Sequence, residues 1–238
     1  MARVLLISHE PEAAPALIGA LLGERGYAID HHVVLADPGN PDTDYPDPGA
    51  YDAVIAFGSF ANAYDPRARA WVDPEVVLID SLVARDIPYL GVCFGGQLLA
   101  ETLGGHVERA PEEEQEIGLV TFDDDEQLPI PAGPWFTWHE DRVVLPDGVD
   151  VLAHNGKAVQ LFRHGRAVGT QFHPEADTAV VGSWVRIGPD HIPEHTSGGQ
   201  LLQDLEINEH RLRSNCGELV DWFLHDVAGI PAGKEDAP

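Results

Sequence analysis

The turn Gly91-Val92-Cys93-Phe94-Gly95-Gly96-Gln97 constrains this chain more than any other segment. An apolar run, Ile87–Val92 (IPYLGV), leads into it and a helix-forming run (QLLAETLGG) leads out, so the cysteine sits at a strand–turn–helix junction. Such a sharp turn pushes its central side chain out of the sheet, and it closes only where small neighbours, here Gly91 and Gly95, let strand and helix approach. The start of the following helix favours an anion, which for a cysteine is the thiolate. The N–H of the next residue, Phe94, would then point to where an oxyanion forms. The same residues also suit a buried, inert cysteine beside a glycine-rich turn, and the turn by itself does not separate the two.

Around this junction, strand-like and helix-like segments alternate as they do in the βαβ units of a parallel sheet. Arg3–Ser8 and Ala28–Ala36 read as strands on either side of a helix at Pro15–Leu22, and Asp52–Phe57 reads as a buried strand running into Gly58. Glu75–Ala84 reads as a helix, and the proline-rich stretch Asp37–Ala50 as a surface connection. From about Gly118 the texture changes to short strands at Leu119–Phe122, Trp135–Trp138, Val149–His154, Ala158–Arg163 and Ala167–Phe172, which predicts a mixed or second small sheet. Helices return at Ala179–Val185 and from about Gly199 to Val227. The expectation is a single α/β domain over residues 1–238, with a C-terminal helical extension at about 199–228 and a frayed tail at 232–238.

A nucleophilic cysteine needs a base, and the base needs an acceptor that orients it. Thr170-Gln171-Phe172-His173-Pro174-Glu175 offers both at the carboxyl end of a strand, where open α/β sheets gather their sites. Alone, His173 could be a structural histidine and Glu175 a residue of a helix start, which Pro174 also suits. Together with the cysteine turn, the pair points to nucleophilic chemistry. The charge balance narrows the substrate. Forty acidic residues against fourteen basic ones give −26, which repels nucleic acid and anionic membrane surfaces. No apolar run approaches the roughly 20 residues of a bilayer crossing, and the N-terminus lacks a signal-peptide pattern, so the expected setting is cytoplasmic and reducing.

The segments GVCFGGQLLA and QFHPE, about eighty residues apart, resemble those of the class I, triad-type glutamine amidotransferases. Further segments, AVIAFGSF, NAYD, EIGLVTF, FTWHEDRVVLP and VQLFR, are similar to stand-alone proteins resembling the amidotransferase domain of guanylate (GMP) synthetase, so the likeness covers most of residues 50–175. It implies a flavodoxin-like, open, mostly parallel sheet flanked by helices, with a small additional mixed or antiparallel sheet. It further implies that Cys93 is the nucleophile, His173 the general acid and base, and Glu175 the carboxylate that orients it. Backbone N–H groups of Gly58 and Phe94 would form the oxyanion hole, and Gln97, Phe60, Trp138, His139 and Glu140 would contact substrate, the last three in a short loop ending at Asp141. No cofactor and no metal is implied. The reaction would be cleavage of a γ-glutamyl amide through a Cys93 thioester, supplying ammonia to an acceptor on a separate synthetase or acceptor-enzyme subunit, since this sequence has neither a P-loop nor a dinucleotide fingerprint. The alternatives are a stand-alone γ-glutamyl hydrolase or transferase acting on a conjugate, and a non-catalytic binding module of the same fold.

Two departures stand out. The family's usual Gly-Gly-Pro turn is Phe57-Gly58-Ser59 here, and Trp138 and Glu140 flank His139 where many relatives carry small residues. Glu140 could thus meet a substrate ammonium and Trp138 a larger substrate, or both could point away. The remaining candidates carry less. His191 and His195 have zinc-like spacing but enclose Pro193, so they read as loop histidines, and Cys216 reads as a core residue of the last helix. The acidic runs Glu112–Glu116 and Asp123–Glu126 lack the glycine punctuation of a calcium loop and read as solvated loops.

Overall fold

Residues 1–123 and 128–231 are described by a computed structural model; the run Asp124–Glu126 and the tail 232–238, expected above to be solvated and frayed, lie outside them. The first strand, β1 (Arg3–Ser8), is followed by α1 (Ala16–Glu24), β2 (Ala28–Val33), β3 (Ala53–Ala56), α2 (Arg69–Ala84), β4 (Tyr89–Val92) and α3 (Phe94–Thr102). Then come β5 (His106–Arg109), β6 (Glu116–Val120), β7 (Trp135–His139), β8 (Asp141–Val144), β9 (Asp150–His154), β10 (Val159–His164) and β11 (Ala167–Thr170). The chain continues through α4 (Thr178–Ile187) and α5 (Gly198–Trp222), which runs into a π-helical turn at Phe223–Val227.

A seven-stranded sheet has the order β2-β1-β3-β4-β11-β10-β9, parallel from β2 to β11 and antiparallel over the last two. Side chains of a strand alternate between faces, so a strand covered on both sides must be apolar throughout. β1 shows this directly. Val4 and Leu6 join a core beneath α1 and α5, while Leu5 and Ile7 join a second core beneath α2 and α3. A third cluster, including Phe136, Trp184, Leu201 and Leu205, packs α4 and α5 against β7. Cys216 is fully buried in the first core, as expected.

The flavodoxin-like reading stands, and so does the expectation of a mixed sheet with a small additional one. β9, β10 and β11 extend the main sheet rather than forming a separate one, because the fully buried β11 runs parallel to β4, with Gly169 opposite Gly91. Two small antiparallel ribbons lie apart from it: β6 with β7, and β5 with β8. The acidic run Glu112–Glu116 is not solvated throughout. Glu116 opens β6 and is buried, its carboxylate accepting from Asn155 and Gln160, each at 2.8 Å, and facing His139 Nε2 at 3.1 Å. Among the described residues no helix is long and apolar enough to cross a membrane.

Candidate active site

Cys93 stands between β4 and α3 with φ 49° and ψ −102°, a backbone conformation costly for any residue with a Cβ. The surrounding packing holds it there. A Cβ on Gly91 would lie 2.4 Å from the backbone of Gly95, and one on Gly95 would lie 2.6 Å from the carbonyl of Ala56, so only glycines let β4, β3 and the first turn of α3 come this close. The Cys93 N–H donates to Thr170 O at 2.8 Å, which ties the turn to β11. The side chain is almost buried, and Gln171 Nε2 approaches its Sγ at 3.6 Å.

His173 follows β11 by three residues, and its N–H donates to Phe136 O at 2.7 Å, bridging to β7. Its Nδ1 donates to Glu175 Oε1 at 2.8 Å, and its ring lies 4.8 Å from that of Trp184. Burial opposes a proton on this imidazole. The Glu175 carboxylate and the Cys93 sulfur, by charge and by hydrogen bonding, outweigh that penalty and push its pKa up to about 10. Gly58 sits against the same ring: a Cβ there would be 2.9 Å from His173 Cε1 and 4.0 Å from Cys93 Cβ. Cys93, His173, Glu175, Gly58 and Phe94 therefore converge at the carboxyl ends of β3, β4 and β11, the crevice where an open α/β sheet binds small molecules.

A cavity of about 210 Å³ opens over Cys93, lined also by Gly58, Phe60, Phe94, Gln97, Trp138, His139, Glu140 and Asp141. That volume lies below the roughly 300–1,000 Å³ of drug-sized pockets and suits one small molecule. Of the site residues named from the sequence, all but Glu175, which is buried and bonded to His173, line this cavity, but their surroundings differ from expectation. Trp138 to Asp141 do not form a loop: Trp138 and His139 end β7, Asp141 begins β8, and Glu140 alone turns between them. His139 spends both ring nitrogens on the scaffold, Nδ1 on Asp141 O at 3.0 Å and Nε2 on Glu116. Glu140 is paired already, with Arg109 Nη1 at 2.8 Å and His191 Nδ1 at 3.0 Å. Asp141 accepts from Asn62 Nδ2 at 2.7 Å and Tyr64 Oη at 2.9 Å. Trp138 meets Trp184 edge to face at 6.3 Å, and Phe60 is half exposed at the mouth.

His9, Glu75, Gln171, Trp184 and His191 also belong here, and the sequence reading passes over the first four and assigns His191 to a loop. Signals were present for two of them. His9 directly follows β1, at the same carboxyl edge that singles out His173, and Glu75 puts a charge on the apolar stripe Trp71, Leu78, Ile79 and Leu82 of α2. His191, in a short helical turn after α4, reaches the cavity through a partner that only the fold supplies. Among the described residues, no group of three or more histidine, cysteine or acidic side chains is arranged to hold a metal ion.

A family model, glutamine amidotransferase class-I, matches residues 21–183. The glutamine-hydrolyzing GMP synthase of Rippkaea orientalis is 35% identical over 136 residues, 54% of this chain and 24% of that protein. That of Staphylococcus saprophyticus is 36% identical over 178 residues, 69% of this chain and 32% of its own length. Matched residues thus span no more than a third of these relatives. A glutamine amidotransferase from Thermotoga maritima superposes with a TM-score of 0.81 at 26% identity, covering 94% of this chain and 98% of that one. A glutamine amido transferase from Methylobacillus flagellatus shares the fold at the same TM-score and 22% identity, covering 100% and 99%.

Proposed function

This chain belongs to the class I glutamine amidotransferases, and on that premise we propose that it hydrolyses the γ-amide of glutamine through a thioester on Cys93. The observation that carries the proposal is the convergence of Cys93, His173 and Glu175 around Gly58 beneath a cavity sized for a small molecule. The raised proton affinity of His173 fits a resting imidazolium beside a Cys93 thiolate. The thiolate attacks the amide carbonyl carbon, and the resulting oxyanion accepts from the N–H groups of Gly58 and Phe94. His173 gives its proton to the departing nitrogen, ammonia leaves, and a γ-glutamyl thioester remains. The now neutral imidazole takes a proton from water, the hydroxide adds to the thioester, and glutamate leaves as thiolate and imidazolium are restored. Glu175 holds the imidazole in orientation throughout and balances its charge, while Gln97, buried at the cavity wall, offers its amide to the substrate. The relatives' name couples glutamine hydrolysis to GMP synthesis, and we assign the use of the ammonia to a synthetase or acceptor enzyme acting with this chain, in a cytoplasmic setting.

The test is release of ammonia and glutamate from L-glutamine by the purified chain, with Cys93→Ala as control. Turnover should vanish in the variant while its circular dichroism stays that of the parent. Glutamate release that persists without the Cys93 sulfur overturns the mechanism.

A further inference from the structure

We propose that His9, held by Glu75, is a positioning residue that fixes both backbone donors of the oxyanion site, Gly58 and Phe94. The proposal rests on the amide-cleavage reading above. The side chains of His9 and Glu75 have no solvent exposure. His9 Nε2 lies 2.8 Å from Glu75 Oε2, and Nδ1 donates to Gly58 O at 2.9 Å. The same ring meets the edge of Phe94, 4.7 Å between centroids, and Trp71 backs it at 5.4 Å. One imidazole therefore touches the two residues whose N–H groups would bind the oxyanion.

The backbone of Gly58 is pinned on both sides. Its own carbonyl is held by His9, and the carbonyl of Phe57 accepts from Gly95 N–H at 3.2 Å. A trans peptide is planar with N–H opposite C=O, so holding the Phe57 carbonyl against the start of α3 sets the direction of the Gly58 N–H. Glycine is the residue least able to hold its own dihedrals, and a donor on glycine needs such outside restraint. Glu10 extends the clamp: Ser59 Oγ donates to Glu10 Oε1 at 2.9 Å, and Ala61 N–H donates back to Ser59 Oγ at 3.1 Å.

The alternative, a pair kept for stability alone, fits poorly. Burying an ion pair completely costs desolvation that apolar residues of equal volume would avoid. Both His9 nitrogens face acceptors, a carboxylate and a carbonyl, so the ring serves this contact as a donor on each side. In line with that, the two acceptors raise its proton affinity against the opposing effect of burial.

The experiment compares the double variant His9→Leu/Glu75→Met, which removes both partners and leaves no orphan charge, with His9→Asn, which keeps a donor near the Nδ1 position. In the folded double variant kcat for glutamine should fall about ten- to hundredfold. KM and the rate of Cys93 alkylation by iodoacetamide should stay within about threefold, because binding and nucleophile are untouched. His9→Asn should recover most of kcat. A kcat within about threefold of the parent, a matching rise in KM, or an equal loss of alkylation rate overturns the proposal. If the parent chain shows no Cys93-dependent cleavage, the amide-cleavage reading fails by itself, and the clamp is judged by amide hydrogen exchange over residues 57–60 and 93–95. Exchange there should speed up at least about tenfold in the double variant, and unchanged protection refutes the clamp.

Discussion

A methyl group on Gly58 would stand 2.9 Å from Cε1 of His173, with Cβ of Cys93 4.0 Å away. The imidazole cannot retreat, because Glu175 holds Nδ1 and Trp184 packs on the ring. Gly58→Ala is therefore expected to displace the imidazole by part of an ångström and lower kcat about a hundredfold, with unfolding unchanged or nearly so. Parent-like kinetics in a folded Gly58→Ala chain would mean that His173 has more room than its contacts indicate. His173 also links the site to pH. Its pKa in the fold, about 10, stands above the ordinary imidazole value of 6.5, so its bound proton stabilises the fold fully below pH 6.5. That contribution fades as pH rises from 6.5 and is gone above about 10. Thermal melts across this window should show a decline in Tm that is shallower in His173→Gln, and parallel curves for the two chains would contradict the assignment.

The helix α4 is the element that carries Trp184 to the imidazole, and its start depends on one side chain. Asp177 accepts from the N–H groups of Ala179 and Val180 at 2.9 and 2.8 Å, meeting two donors that no helical carbonyl reaches. Asp177→Ala should cost about 1 kcal/mol in urea unfolding, while Asp177→Asn or Asp177→Ser should cost a fraction of that. Elements legible in the sequence share a physical reason with α4: their signals are local. β1, β3 and β4 are continuous apolar runs ended by polar or glycine residues, and the cysteine turn carries its glycines within five residues. β5 and β8 escape notice because HVER and DRVV are part exposed and charged. They are paired by the fold, with Arg142 joined to Glu108 at 2.9 and 2.8 Å across the ribbon. The placement of β9 to β11 likewise follows from which strand β11 meets, a long-range choice that periodicity does not encode. In the site, His173 and Glu175 are legible because they stand two positions apart, whereas the contact of His9 with Glu75 spans sixty-six positions and that of Glu140 with His191 fifty-one.

At the scale of the molecule the charge is the governing quantity. Fourteen basic side chains cannot balance forty acidic ones, so a net excess of negative charge remains, and its self-repulsion works against the compact state. Added salt acts on two opposed terms. It weakens surface pairs such as Arg25–Asp221, Arg69–Glu101 and Arg213–Glu24, each of which contributes about 0–1 kcal/mol. It also screens the excess negative charge, cutting the reach of each carboxylate from about 30 Å at 0.01 M to about 3 Å at 1 M. With 26 acidic groups unmatched, the second term should dominate. The expected outcome is a rise in Tm of more than about 3 °C between 0.01 and 1 M sodium chloride, a shift of about 1 kcal/mol or more for a chain of this size. Chloride is the salt to use, because sulfate strengthens apolar burial and would raise Tm whatever the charge. A flat or falling Tm in chloride would mean that the paired arginines outweigh the repulsion, and stability would then rest on those specific pairs more than on relief of the net charge.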